Sequence, residues 1–267
     1  MKGELISKVF AYVTLGFVLI FALYYASGAE VPLGAQSITE GQDSTINLSN
    51  YPAQSHNAFA GNITELNITG RSQTKHWQGY YGEITGTIVL DDADNWTMYD
   101  WPVAEPTGEI YATPNASTPT WQTIRCFNYS GNYTQSANGD LYFWETFFNM
   151  TYNGADGINE TFDSQNHITF AVGDVTIPAS TCPNTYTHVN DVYQTDKFVE
   201  VLLTDQNGVL IFSTIIENDD DGNLTDPLGY NGVQHDFQLL VAEDGTSFVS
   251  GSRNKVTTPY WFYIDIE

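Results

Sequence analysis

The stretch ENDDDGNLTD at 217–226 gathers the densest run of oxygen ligands in the chain. Glu217, Asp219, Asp221 and Gly222 follow the 1-3-5-6 spacing by which a calcium loop wraps oxygens around its ion before a sharp glycine turn, and Asn223 follows at the seventh place. The pattern departs at its first position, a Glu, and at its twelfth, Leu228, where a bidentate Glu is needed. Asp91, Asp92 and Asp94 in LDDAD make a second acidic turn. For both, a solvated turn is the competing reading, and calcium, which would also relieve self-repulsion in an acidic chain, is the one cofactor the sequence suggests. No other motif carries chemistry. There is no GxSxG elbow, no HExxH, no P-loop and no GxGxxG after a strand. His56, His76, His167, His188 and His235 are scattered without a His-x-His or His-x3-His pair to hold a metal. Two carboxylates for glycoside hydrolysis would come from distant positions, and nothing singles out a pair among 32 acidic residues. No catalytic residue is therefore named, and the chain is not expected to be an enzyme.

Trp77, Tyr80 and Tyr81, spaced by Gly79 and Gly82, are the aromatic residues best placed to stack on a glycan ring; packing in a two-sheet core is the alternative use of such rings. Glycans enter a second way. Asn-x-Ser/Thr sequons occur at Asn47, Asn62, Asn67, Asn95, Asn115, Asn128, Asn132, Asn149, Asn159 and Asn223, ten of 21 asparagines. With 46 Ser and Thr in 267 residues, chance placement gives about three or four. The excess points to a glycosylated surface protein with those positions facing solvent.

Export is written at the N-terminus as well. Val9 to Ala26 reads VFAYVTLGFVLIFALYYA, an uncharged run close to the length that crosses a hydrocarbon core. Lys2 and Lys8 precede it and an acidic body follows, so the basic leader (1–8) is expected in the cytoplasm, the helix (9–27) in the membrane and the body outside. Three readings compete: a retained anchor; a signal cleaved after Ala29 with Ser27 at −3; and a pilin-like helix freed by cleavage after Gly3. Cys126 and Cys182, the only cysteines, read as a disulfide in that compartment.

Eight Lys and Arg against 32 Asp and Glu give a net charge of −24, which excludes a nucleic-acid partner because such binding depends on neutralising phosphates. At 42% hydrophobic and 14% aromatic residues the chain is also no disordered polyanion. Residues 28–59 are polar and read as a stalk; the domain proper is expected over 60–267. There, β-type runs recur between turn signals: 62–69, 80–90, 96–101, 108–113, 121–130, 167–177, 197–205, 209–217, 235–243 and 259–267. The pattern predicts a mostly β, antiparallel, sandwich-like ectodomain of immunoglobulin-like or jelly-roll-like type. DLYFWETFFNM (140–150) is the exception, with Leu141, Trp144, Phe147 and Phe148 on a helical spacing.

KHWQGYYG (75–82), AGNITELNIT (60–69), LDDA (90–93), YDW (99–101), GEIYA (108–112), the cysteine pair, EVLL (200–203), HDF (235–237) and PYWFYIDIE (259–267) occur in order. In these motifs the chain resembles a group of exported cell-surface proteins of archaea of the DPANN type. The resemblance spans about residues 60–267 and implies a place, an apolar N-terminus with a β-rich ectodomain, but no catalytic residues. The sequence thus leads to a membrane-anchored surface protein with structural or adhesive work, whose partners are other surface proteins, glycans or further copies of itself. A carbohydrate-binding module or glycan-acting enzyme is the alternative.

Overall fold

The computed structural model describes residues 31–45, 53–103, 106–217, 227–245 and 257–266. The apolar run at 9–26, the sequons Asn47 and Asn223, and Asp219 and Asp221 lie outside them. The described chain is mostly β, with antiparallel sheets and few helices. Among the described residues no helix is long and apolar enough to cross a membrane.

Among the described residues the main sheet has seven strands. In chain order they are β1 (Leu33–Gly34), β5 (Gly108–Thr113), β6 (Arg125–Cys126), β9 (Asn184–Tyr186), β10 (Val199–Thr204), β11 (Leu210–Ile215) and β13 (Trp261–Ile266). They lie in the order β1-β13-β5-β11-β10-β6, with β9 also on β10. Three two-stranded pieces accompany it: β2 (Trp77–Gly82) with β12 (Phe237–Ala242), β3 (Gly86–Asp91) with β4 (Thr97–Val103), and β7 (Phe170–Val172) with β8 (Val175–Ile177). The helices are α1 (Asp140–Phe147) and α2 (Ile158–Thr161).

Every residue of β10 is buried, because both faces of the main sheet are covered. Side chains alternate along a strand, so Val199, Val201 and Leu203 join Tyr111, Ile211, Trp121 and the β7–β8 residues Phe170, Val172 and Ile177 on one face. Leu202 joins Phe212, Ile110, the α1 residues Leu141 and Trp144, and the β12 residues Leu239 and Val241 on the other. This two-sided burial explains why EVLL reads as a continuous run in place of an apolar-polar alternation.

The outer edge of β10 is served by two short segments placed end to end. Cys126 lies opposite Leu203, while Asn184 lies opposite Val201. Between them, at Leu202, the ladder changes hands: the Leu202 carbonyl accepts the Phe127 N–H at 3.0 Å and the Leu202 N–H donates to the Pro183 carbonyl at 2.9 Å. The Cys126–Cys182 disulfide closes this junction, with a Cα–Cα distance of 4.7 Å. Buried His167 braces the same loop, its Nε2 accepting the N–H groups of Thr181 (3.2 Å) and Cys182 (2.9 Å) while Nδ1–H donates to the Ile168 carbonyl at 2.7 Å. Burial lowers its pKa, in keeping with the neutral ring that this geometry needs.

Several expectations are corrected. Residues 62–69 form no strand: Ile63, Leu66 and Ile68 are exposed and no neighbouring strand offers them a ladder. The run 80–90 is two strands. The chain leaves β2 after Gly82, and the Ile84 N–H is taken by the Asp236 carboxylate instead of a strand partner. The run 167–177 folds back at Gly173 (φ 53°) and Asp174 as the β7–β8 hairpin, a Gly-Asp turn of the kind two-residue hairpins use. The run 121–130 gives only a 3-10 turn at Trp121–Thr123 and the two residues of β6. Leu33–Gly34, within the stretch read as a stalk, pairs with β13.

Closing 56 residues of sequence, the disulfide is expected to contribute about 4 kcal/mol through chain entropy. Replacing both cysteines by Ser should lower the denaturant midpoint accordingly and speed amide exchange at residues 184–186; an unchanged midpoint would show that the junction at Leu202 holds without it.

Candidate functional site

The acidic chain settles its buried carboxylates in an unusual way, and this shapes the surface where a ligand could bind. Only four Lys or Arg fall among the described residues, Arg71, Lys75, Arg125 and Lys197. A buried carboxylate without a cation needs hydrogen bonds to its charged form, and backbone N–H groups supply them. Asp205, on the turn from β10 to β11, takes the N–H groups of Thr120 (3.1 Å), Asn207 (2.8 Å) and Val209 (3.1 Å), plus the Asn207 side-chain amide at 3.2 Å. Asp140, the first residue of α1, takes those of Tyr133 (2.8 Å) and Thr134 (2.7 Å) and the Thr134 hydroxyl at 2.7 Å. Glu145 collects Asn153 (3.2 Å) and Ile158 (3.0 Å), and Asp265 collects Gly173 at 2.9 Å. Burial raises the Glu145 pKa, backbone bonds opposing it.

Asp140 and Asp205 brace the two loops that, with α1, wall a surface cleft of about 210 Å³ lined by Asn115, Thr134, Phe143, Trp144, Asn207, Gly208 and Val209. Gly208 sits at φ 77°, and a Cβ there would lie 2.8 Å from both the Thr134 backbone nitrogen and its Cγ2, so only glycine lets the turn approach this loop. The Gly208 carbonyl accepts the Trp144 Nε1–H at 3.1 Å. Phe143 turns outward at 39% exposure.

Glu200, fully buried on β10, does different work. Among the described residues the edge of β12 away from β2 has no strand beside it, and three side chains meet it: the Thr214 hydroxyl donates to the Gln238 carbonyl (2.9 Å), Glu200 accepts the Leu240 N–H (2.7 Å) and the Tyr260 hydroxyl donates to the Ala242 carbonyl (2.7 Å). Burial pushes the Glu200 carboxyl well above its ordinary value, with one backbone bond opposing.

The aromatic trio of β2 is divided among three surroundings. Trp77 packs on Phe162 and Phe212 and donates Nε1–H to the Asp156 carbonyl at 2.8 Å. Tyr80 meets Phe262 edge-on, and Tyr81 meets Tyr230 and His235. His235 in turn has Nε2 3.2 Å from Asn231 Oδ1 and Nδ1 3.5 Å from Glu83 Oε1. In the calcium pattern Glu217 is already engaged, accepting the Phe198 N–H at 2.6 Å and pairing with Lys197 at 3.4 Å; Asp219, Asp221 and Asn223 lie outside the described residues. Asp92 of LDDAD accepts the N–H groups of Asp94 and Trp96, each at 2.9 Å, and so closes the β3–β4 turn. Among the described residues no group of three His, Cys, Asp or Glu is arranged to hold a metal ion. Asn62, Asn67, Asn95, Asn128, Asn132 and Asn149 are exposed; Asn115 and Asn159 are half-buried. Asn159 spends its amide on Asn153 at 3.1 Å and Glu160 at 3.4 Å.

The cleft walls were missed by sequence reasoning because their polar members, Asn115, Thr134 and Asn207, come from three separate segments. The D-x-N-G of 205–208 is a turn signal, but nothing in it marks a ligand.

The raised Glu200 carboxyl gives a signed pH dependence. A folded value above the ordinary 4.5 stabilises the fold fully below that pH and loses the contribution as pH rises through the folded value. Glu200→Gln keeps an acceptor for Leu240 and cannot ionise, so its melting temperature should fall less than the wild type's between about pH 5 and pH 8; parallel curves would contradict this role. No family model, curated protein or solved structure matches the chain.

Proposed function

We infer that the chain is an exported, glycosylated cell-surface protein that works by contact, as a subunit of a coat, an appendage or a cell-contact layer, held at the membrane by residues 9–26. No residue is given a catalytic role in this reading. The β2–β12 pair lying over one face of the main sheet fits a sandwich-like ectodomain, and the disulfide, the exposed sequons and the likeness to archaeal exported surface proteins support the location.

The observation that carries the contact role is the β3–β4 ribbon. Ile88 lies opposite Trp101 and Leu90 opposite Tyr99, so the four share one face. They are exposed by 48%, 48%, 49% and 58% respectively, with the Tyr99 and Trp101 rings 4.8 Å apart. Among the described residues the ribbon pairs with no other strand. A lone two-stranded hairpin is marginal in water, and a contiguous apolar patch of this kind marks an interaction surface.

Electron microscopy of the full chain purified in detergent tests this reading. A lattice, filament or defined oligomer is expected, dispersed by the pair Ile88→Asp and Trp101→Asp with the melting curve of the body kept. Single particles from the wild type would overturn it. Mass spectrometry of the native N-terminus separates the anchor from processing: a chain starting at Glu4 replaces the anchor with a filament helix, and one starting at Glu30 with a secreted protein.

A further inference from the structure

We propose that the cleft between α1, the 133–134 loop and the β10–β11 turn seats one neutral sugar ring, a role separate from the contact surface of the β3–β4 ribbon. Its size comes first. At about 210 Å³ the cleft lies below the roughly 300–1,000 Å³ of drug-sized ligand sites, room for one ring in place of a larger ligand.

The lining chemistry is that of a polyol with one apolar face. Phe143, 39% exposed, supplies the aromatic surface, whose electron-rich ring face attracts the positively polarised C–H groups of a pyranose. Trp144 is buried in the core and its N–H is spent on Gly208, so it backs the cleft and offers neither a stacking face nor a donor. Polar recognition falls to two amides. Asn115 accepts the Ser117 N–H through Oδ1 at 3.0 Å, which leaves Nδ2 as a donor; Asn207 donates Nδ2 to Asp205 and Thr120, which leaves Oδ1 as an acceptor. Neither free atom has a hydrogen-bond partner among the described residues. One free donor and one free acceptor on residues lining the same cleft match the hydroxyl groups of a sugar, each of which both gives and takes a hydrogen bond.

Neutrality follows from the charge. No charged residue lines the cleft although acidic residues outnumber basic ones 32 to 8. The carboxylates nearest in sequence, Glu145, Asp140 and Asp205, are buried and take backbone N–H groups. The same bonds fix both walls in advance, so little ordering cost falls on binding.

The ring has two sources: a glycan on Asn115, whose bond to Nδ2 replaces one hydrogen and leaves one N–H there, or a glycan of another molecule. The test uses the full chain from a glycosylating host, as wild type and as Ser117→Ala, which removes the sequon and keeps Asn115. Neutral methyl pyranosides of the gluco, galacto and manno series are titrated while the Trp144 indole and the Asn115 and Asn207 side-chain amides are followed by NMR. Saturable shifts in both chains support an external sugar. Shifts in Ser117→Ala alone support the chain's own glycan in the cleft. Phe143→Ala should weaken binding about tenfold, while Trp101→Ala on the β3–β4 ribbon leaves it unchanged. Absence of shifts in both chains, or shifts that survive Phe143→Ala in full, would overturn the proposal.

Discussion

Carboxylates that must be buried without cations are the constraint on which the rest of this structure depends. Moving an ionised carboxylate out of water costs several kcal/mol, and a chain with 8 Lys and Arg for 32 Asp and Glu cannot recover that through ion pairs. Hydrogen bonds to a charged group are worth about 1.5–3 kcal/mol each, so a carboxylate collecting three backbone N–H groups offsets its own burial. Asp205 has three such bonds, and Asp140 and Glu145 have two each. Glu200 has one, and its carboxyl is accordingly driven toward the neutral form.

The same groups shape the loops. Asp205 draws the chain before the Trp121 turn against the β10–β11 turn, and Asp140 folds residues 133–134 onto the start of α1. Acidity is thus tied to architecture: the acceptors that a basic protein would give to lysine and arginine here organise backbone outside the sheets. At the sheet itself the equivalent economy is the composite edge of β10, where two fragments a long way apart in sequence share one ladder and a disulfide spans their junction.

Much of the β structure was legible in sequence, because β5, β10, β11 and β13 of the main sheet, and β12 over it, are apolar runs whose burial the pattern reports directly. The α1 helix was legible through Leu141 and Trp144, both of which face the core. What escaped is what depends on partners. Asn184–Tyr186 has no apolar run and is a strand only because β10 offers it an edge. NITELNIT has the pattern without a partner, so it is not a strand. The cysteine pairing was readable by count. The cleft was not, since its lining residues meet only after four segments have folded, and the acceptors that position them look in sequence like any of the other acids.

Amide hydrogen exchange on the folded chain tests the central claim most directly. The N–H groups of Thr120, Tyr133, Thr134, Ile158, Val209 and Leu240 are donated to carboxylates, and Tyr133 and Thr134 lie in a loop outside any helix or strand. If buried carboxylates hold the fold in place of cations, these amides exchange as slowly as those of β10 and β11. Exchange at the rate of the exposed amides of residues 62–69 would contradict it.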